Sequence, residues 1–185
     1  MDLIKKLKSV EGVSLLELII SISLFSILML SSTQIFKMVV DGQRNAISAQ
    51  NVQENMRYIM EKISKEARMA QPSDTDCLPA AINKVFNTAN GSSELYFKNK
   101  DGDCVKYYLE DDRLKITVGG AIDDFITPAK IEVSNLKFYV ADDLIGVFHA
   151  VQPYVTIMMD VKAIGLAIHE QKIKIQMTSS LRYNE

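Results

Sequence analysis

Apolar residues are distributed along this chain in three different ways. From Val13 to Leu30 they run almost unbroken, and Glu17 is the only charged residue among them. Further on they recur at Val52, Met56, Ile59, Met60, Ile63, Ala67 and Ala70, spacings that mark one face of an amphipathic helix. Beyond Pro72 they alternate with polar residues, the period of β-strands.

The first two patterns join into one element. No proline lies between Val13 and Gln71, and Gly42 is the only glycine there. Lys37/Asp41, Glu54/Arg57 and Glu61/Lys65 stand at helical spacing and suit an exposed face. Pro72 supplies a stop. The pattern predicts a helix from about residue 13 to about residue 70, about 87 Å long at about 1.5 Å per residue. Val13–Thr33 supplies 21 residues, and a bilayer core of about 30 Å needs about 20. Lys5, Lys6 and Lys8 flank this run on its N-terminal side only. The positive-inside rule then keeps the N-terminus cytoplasmic, with a single pass through the inner membrane and the C-terminal part outside.

After Pro72 a loop is expected over residues 71–93, with room for a short helix near 79–86. Strands are expected at Glu94–Lys98, Val105–Glu110 and Arg113–Val118, the last two joined at Asp111-Asp112. Gly119-Gly120 then breaks the pattern. Ile131–Val140 alternates with one slip between Val133 and Leu136, the mark of a bulge. Tyr154–Ala163 and Lys172–Leu181 complete the set. The fold class is α+β, with the second half of the helix packed on an antiparallel sheet of four to six strands. Three segments result: a polar leader over 1–12, an apolar half-helix over 13–33, and an extracytoplasmic domain over 34–185.

Charge and composition change this picture little. The net charge is −2, which argues for neither a nucleic acid nor an acidic membrane surface as partner. The leader carries three lysines against Asp2 and Glu11, so its removal leaves −3. The two cysteines, Cys77 and Cys104, lie in the domain that would be exported, where an even pair reads as a disulfide. Two free buried thiols are the alternative in a reducing compartment. No zinc site is expected from two cysteines without a nearby histidine. The acidic pairs Asp74/Asp76, Asp101/Asp103, Asp111/Asp112, Asp123/Asp124 and Asp142/Asp143 lack EF-hand spacing and read as turn residues, so no metal or other cofactor is expected. His149 and His169 have no nucleophile or carboxylate constellation around them. With no hydrolase, Walker or zincin motif present, no catalytic residue is assigned and the chain is read as a non-enzyme. Tyr96, Phe97, Tyr107 and Tyr108 read as sheet core and rim in preference to a nucleic-acid platform.

The chemistry concentrates at Gly12-Val13-Ser14-Leu15-Leu16-Glu17. A secretory signal puts its cleavage site after the apolar run, whereas Gly12 precedes it. A carboxylate inside a membrane helix costs a few kcal/mol; Glu17, one turn in, either snorkels to the interface as part of a simple bitopic anchor or finds a partner cation in the apolar phase. Cleavage after Gly12 would create one, the α-amine of Val13. Within one chain that amine lies about one turn from Glu17; between chains, packed helices can pair Glu17 of one subunit with the new amine of its neighbour and so fix their register.

This segment resembles the prepilin cleavage and methylation signal of type IV pilin-like proteins. Gly12, Ser14, Leu15, Leu16 and Glu17 match the motif, and Val13 stands where phenylalanine is usual. The resemblance implies a prepilin peptidase that cuts between Gly12 and Val13 and N-methylates Val13. It also implies other pilin or pseudopilin subunits as partners in a filament. Phe125-Ile126-Thr127-Pro128, Gln152-Pro153-Tyr154-Val155 and Thr178-Ser179-Ser180-Leu181-Arg182 are similar to segments of minor pilins, J-class pseudopilins and the PilW-like group. The expectation is a minor pilin or pseudopilin subunit. Its rivals are a type II secretion pseudopilin as distinct from a pilus subunit, and a membrane-tethered binding domain that never polymerises. DNA uptake, a property of some pilus systems, is the minority reading of the aromatic cluster.

Overall fold

The computed structural model describes residues 12–73, 77, 83–145, 148–149, 151–164 and 172–182. The leader up to Glu11, Asp74, Asp76, residues 79–82 of the expected short helix, and His169 lie outside the described residues. One helix, α1 (Leu15–Arg68), precedes ten strands. These are β1 (Phe86–Ala89), β2 (Glu94–Lys98), β3 (Cys104–Glu110), β4 (Arg113–Val118), β5 (Ile122–Phe125), β6 (Ile131–Ala141), β7 (Leu144–Ile145), β8 (Phe148–His149), β9 (Tyr154–Ala163) and β10 (Lys172–Ser180). Contacts divide the chain into two compact units, residues 1–43 and 44–185, with α1 running through the boundary.

The α+β class is as the periodicity requires, but the strands form two main sheets. One is a five-stranded antiparallel meander, β1-β2-β3-β4-β5; the other is three-stranded, β10-β9-β6; β7 and β8 form a small hairpin. Phe86–Ala89, placed by the periodicity in a loop, is strand β1 and pairs with β2. Its four residues, Phe-Asn-Thr-Ala, carry no alternation of their own, and the neighbouring strand supplies the order. β5 was also hidden, because its Ile-Asp-Asp-Phe sequence puts acids at both central positions.

The buried face of α1 consists of Val52, Met56, Ile59, Met60, Ile63 and Ala67. They join one core with Leu95, Phe97, Val105 and Tyr107 of the first sheet and Val133, Phe138, Ile157 and Val161 of the second. Each buried Val, Ile or Met contributes about 1.5–3 kcal/mol. Polar contacts pin the same surface. The fully buried Tyr107 hydroxyl donates to the Glu66 carboxylate of α1. Burial, and then that carboxylate, push the phenol well above its ordinary range. The backbone N–H of Gln71 donates to the Lys98 carbonyl at 2.9 Å. The helix itself ends four residues before Pro72, in a tight last turn where Met69 and Ala70 donate to Glu66 and Ala67.

β6 stitches the two sheets together. Its registry against β9 shifts between Ser134 and Lys137, at the expected slip, with Asn135 at φ 53°. The bulge changes the parity of inward positions, so Ile131 and Val133 before it and Leu136 and Phe138 after it all reach the core. Along the other edge of β6, Val133 N–H donates to the Asp112 carbonyl and Phe138 N–H to the Ser92 carbonyl, both at 2.7 Å. Those acceptors sit in two of the four turns of the first sheet, at Asp111-Asp112 and at Asn90–Ser93, where positive φ angles occur. After β6, the buried Asp142 carboxylate accepts from Val85 N–H at 2.6 Å and Phe86 N–H at 3.0 Å, holding the entry to β1.

Cys77 and Cys104 form a disulfide with a Cα–Cα distance of 5.2 Å. It ties the segment after Gln71 to the start of β3. Opening this loop by Cys77→Ser with Cys104→Ser should lower unfolding stability by about 3–4 kcal/mol. Denaturant midpoints of the disulfide-bonded domain, oxidised against the double variant, measure the loss; equal midpoints would deny the bridge a stabilising role.

Candidate functional site

The sequence motif sits at the start of α1. Gly12, Val13 and Ser14 precede the helix, and Leu15, Leu16 and Glu17 form its first turn. The Ser14 carbonyl accepts the first intrahelical bond, from Leu18 N–H at 3.1 Å, so Ser14 occupies the N-cap position. Ser14-Leu15-Leu16-Glu17 also has the spacing of a capping box, a reading that the motif had obscured. A carboxylate in the first helical turn faces the exposed N–H groups and gains about 0.3–1 kcal/mol from them. A charged side chain at mid-bilayer costs about 2.5–3.5 kcal/mol on insertion scales. Glu17, in the first turn, would meet a cost of that size only if packing drew it to that depth, and the helix terminus by itself would not then offset it.

Every large apolar side chain from Leu15 to Val39 that points outward is open. Leu15, Leu16, Leu18, Ile19, Ile20, Ile22, Leu24, Phe25 and their successors through Val39 are 49–77% exposed. They lie all round the helix, which excludes a simple amphipathic packing role for this half. Leu15–Gln43 covers about 43 Å at about 1.5 Å per residue, more than the about 30 Å hydrocarbon core. By length and composition this helix is able to cross a membrane. Its hydroxyls are prepared for an apolar phase. Ser23, Ser26, Ser31 and Thr33 donate to the carbonyls of Ile19, Ile22, Ile27 and Met29 at 2.8–3.0 Å. Internal satisfaction of this kind is what a hydrocarbon surrounding demands.

The remaining candidates have other roles. Among the described residues no group of three or more His, Cys, Asp or Glu side chains is arranged around a common point. Asp111 and Asp112 form the β3–β4 turn, and Asp123 lies in β5. Asn99 Oδ1 accepts from the Asp101 and Asp103 N–H groups, shaping the turn before β3. His149 lies in β8.

Phe97 and Tyr107 are core, whereas Tyr96 and Tyr108 stand on the outer face of the meander. There Lys106 Nζ lies 5.6 Å from the Tyr96 ring centroid and 4.3 Å from that of Tyr108. Lys115 lies 5.1 Å from the Phe125 centroid, and the Arg113 guanidinium 4.0 Å from it. The two lysines have carboxylate partners: Lys106 with Glu94 at 3.1 Å, and Lys115 with Asp123 at 2.8 Å and with Glu110. This ladder of aromatics and lysines, invisible until cross-strand register is known, is thus largely neutralised by its own acids. A phosphate backbone needs cations it can claim for itself, and these lysines are committed.

The Glu94 carboxyl shows the strength of that commitment. Burial by itself would raise its pKa, but the bonds from Tyr96 and Lys106 outweigh it and hold the group below the ordinary value of 4.5. Its contribution is therefore complete above that value and fades as pH falls through the depressed one. Glu94→Gln should cost about 0.5–1 kcal/mol at neutral pH, with the gap closing in acid below the ordinary carboxyl range. Paired denaturant titrations across that pH interval test the sign.

Comparison with known proteins gives a single result: no protein-family model, no curated protein and no solved structure matches this chain.

Proposed function

We propose that this chain is the precursor of a structural minor pilin or pseudopilin subunit. In this reading a prepilin peptidase removes residues 1–12 by cutting between Gly12 and Val13, and Val13 becomes the N-methylated terminus. Residues 13–33 first hold the subunit in the inner membrane and then pack against other pilin or pseudopilin subunits in a filament. The domain that follows lies outside the membrane. Whether the filament belongs to a pilus or to a type II secretion system of the J-class kind does not alter this chemistry.

The observation that carries the reading is Glu17 on an otherwise uncharged and fully uncovered apolar half-helix. A non-polymerising membrane tether accounts for the apolar surface, but its only cations are its own leader lysines or its own Val13 amine, which fix no register between subunits. A filament fixes it, because each subunit brings one new α-amine next to a neighbour's Glu17. The pairing also acts against misregister, since a slipped helix leaves two charges buried and unpaired.

Two experiments bear on this. Mass spectrometry of the membrane-extracted protein should find a terminus at Val13 carrying one added methyl group. Recovery of Met1, or of a terminus beyond residue 30, would sink the proposal. Glu17→Ala should leave cleavage intact and lower incorporation into sheared filaments at least tenfold; wild-type incorporation of that variant would remove the pairing role.

A further inference from the structure

The net charge of −2 hides an uneven distribution. Lysines gather at one end of the three-stranded sheet. Lys172 stands directly opposite Lys162 in the β10–β9 register, a pairing of like charges that destabilises a ladder by itself. Lys130 comes just before β6, and Lys174 is the third residue of β10. The paired residues at the opposite end are Ala141, Tyr154 and Ser180, none of them charged.

The acids at this end do not match the lysines. Lys162 meets Glu132 at 3.1 Å, and Lys172 lies 3.8 Å from Asp160. Asp160 also takes Asn135 Nδ2 at 2.8 Å, although Lys174 is its partner in register. Lys130 and Lys174 are exposed, and among the described residues neither has a carboxylate within ion-pair distance. Ile164 stands beside them 53% exposed, its N–H bonded to the Lys130 carbonyl at 2.8 Å.

This is also the end at which the chain enters the globular unit. Ser48, Asn51 and Asn55 of α1 line a cleft with Lys130 and Ile164. Later turns of α1 reach the opposite end, through Ser64 to Ser179 and Arg68 to Arg182. The unit begins at Arg44, which is exposed and likewise has no carboxylate partner among the described residues. Glu54, held by Gln50 Nε2 at 2.9 Å, is the one acid of these α1 turns.

Chain length puts this end within reach of a bilayer. The exposed apolar residues of α1 continue past Thr33 to Val39. Leu15–Val39 is about 37 Å as helix, and a stretch of that length tilts to fit a core of about 30 Å. The nine residues from Val39 to Ser48 then cover about 14 Å. Headgroups fill about 5–8 Å of that, and the remainder is about one Debye length.

We propose that this end of the globular unit docks on a membrane surface that carries anionic lipid. Arg44, Lys130, Lys172 and Lys174 meet the headgroup phosphates, and Ile164 lies between headgroups. Cations held near such a surface are each attracted to it, and salt screens the attraction. The inference rests on the membrane span of the proposed function, but requires neither cleavage nor polymerisation.

The full chain is reconstituted into vesicles of phosphatidylcholine alone or with about 30% phosphatidylglycerol, and recovered by flotation. Brief acetylation of amines is then read by mass spectrometry. In low salt, Lys130 and Lys172 should react at least fivefold more slowly in the anionic vesicles. Lys100, whose carbonyl is bonded to Gln71 beyond the far end of α1, should react equally in both. Molar salt should remove the difference. Lys130→Glu with Lys174→Glu, both exposed, should keep the fold and abolish the protection of Lys172. Equal rates at Lys130 and Lys172 in floated vesicles overturn the proposal and leave the span intact. A chain that floats with neither vesicle refutes the span, and this proposal with it. Protection in neutral vesicles that grows with the protein-to-lipid ratio also overturns it, because a second copy then covers the face.

Discussion

Burial of one face of α1 between Val52 and Ala67 is the constraint on which the globular unit depends. Those side chains are the common floor for two sheets that share no ladder with each other. Without them the inward residues of the meander and of β6–β9 would face water. The polar contacts around this face reinforce it without replacing it. Tyr107 to Glu66 locks the meander, Ser64 to Ser179 at 3.3 Å locks β10, and the Arg182 N–H to the Arg68 carbonyl at 2.9 Å locks the chain just beyond. The Thr178–Arg182 segment takes part in these closures, and Phe125–Pro128 makes one of its own. Thr127, in the latter, is buried and accepts Leu114 N–H at 2.9 Å, while its carbonyl takes the Arg113 guanidinium.

The same helix meets a different demand between Leu15 and Thr33. There its surface is apolar on all sides, and polar atoms are tolerated by being turned inward. A serine or threonine hydroxyl can return to the carbonyl one turn back, as four of them do. A carboxylate cannot return to a carbonyl in this way, and the free N–H groups of the first turn offset only part of its charge. Glu17 therefore stands apart from the serines in kind, and it alone asks for something outside the chain.

Legibility followed the strength of the local pattern. Strands β2, β4 and β9 have the ends that alternation requires, and the β6 bulge falls where the parity of apolar residues changes. The helix face matched residue for residue because a period of 3.6 sustained over four turns has few competing explanations. Strands β1 and β5 were not legible. Each is four residues long with polar central positions, and each exists because a neighbour offers a ladder. The committed lysines of the meander were hidden for a related reason: Tyr96 and Lys106 meet only through the β2–β3 register.

The sequence by itself determined the helix, its change of character along its length, the class of the fold and the motif around Glu17. All of these are written in short-range spacing, which a chain carries before it folds. The Cys77–Cys104 bridge was also expected, from the even pair. The tertiary structure alone decided that the strands divide into two sheets. It also decided that the β6 edge is closed by turns while β10 has no further strand partner among the described residues. Those features depend on which distant residues become neighbours, and no local period encodes that.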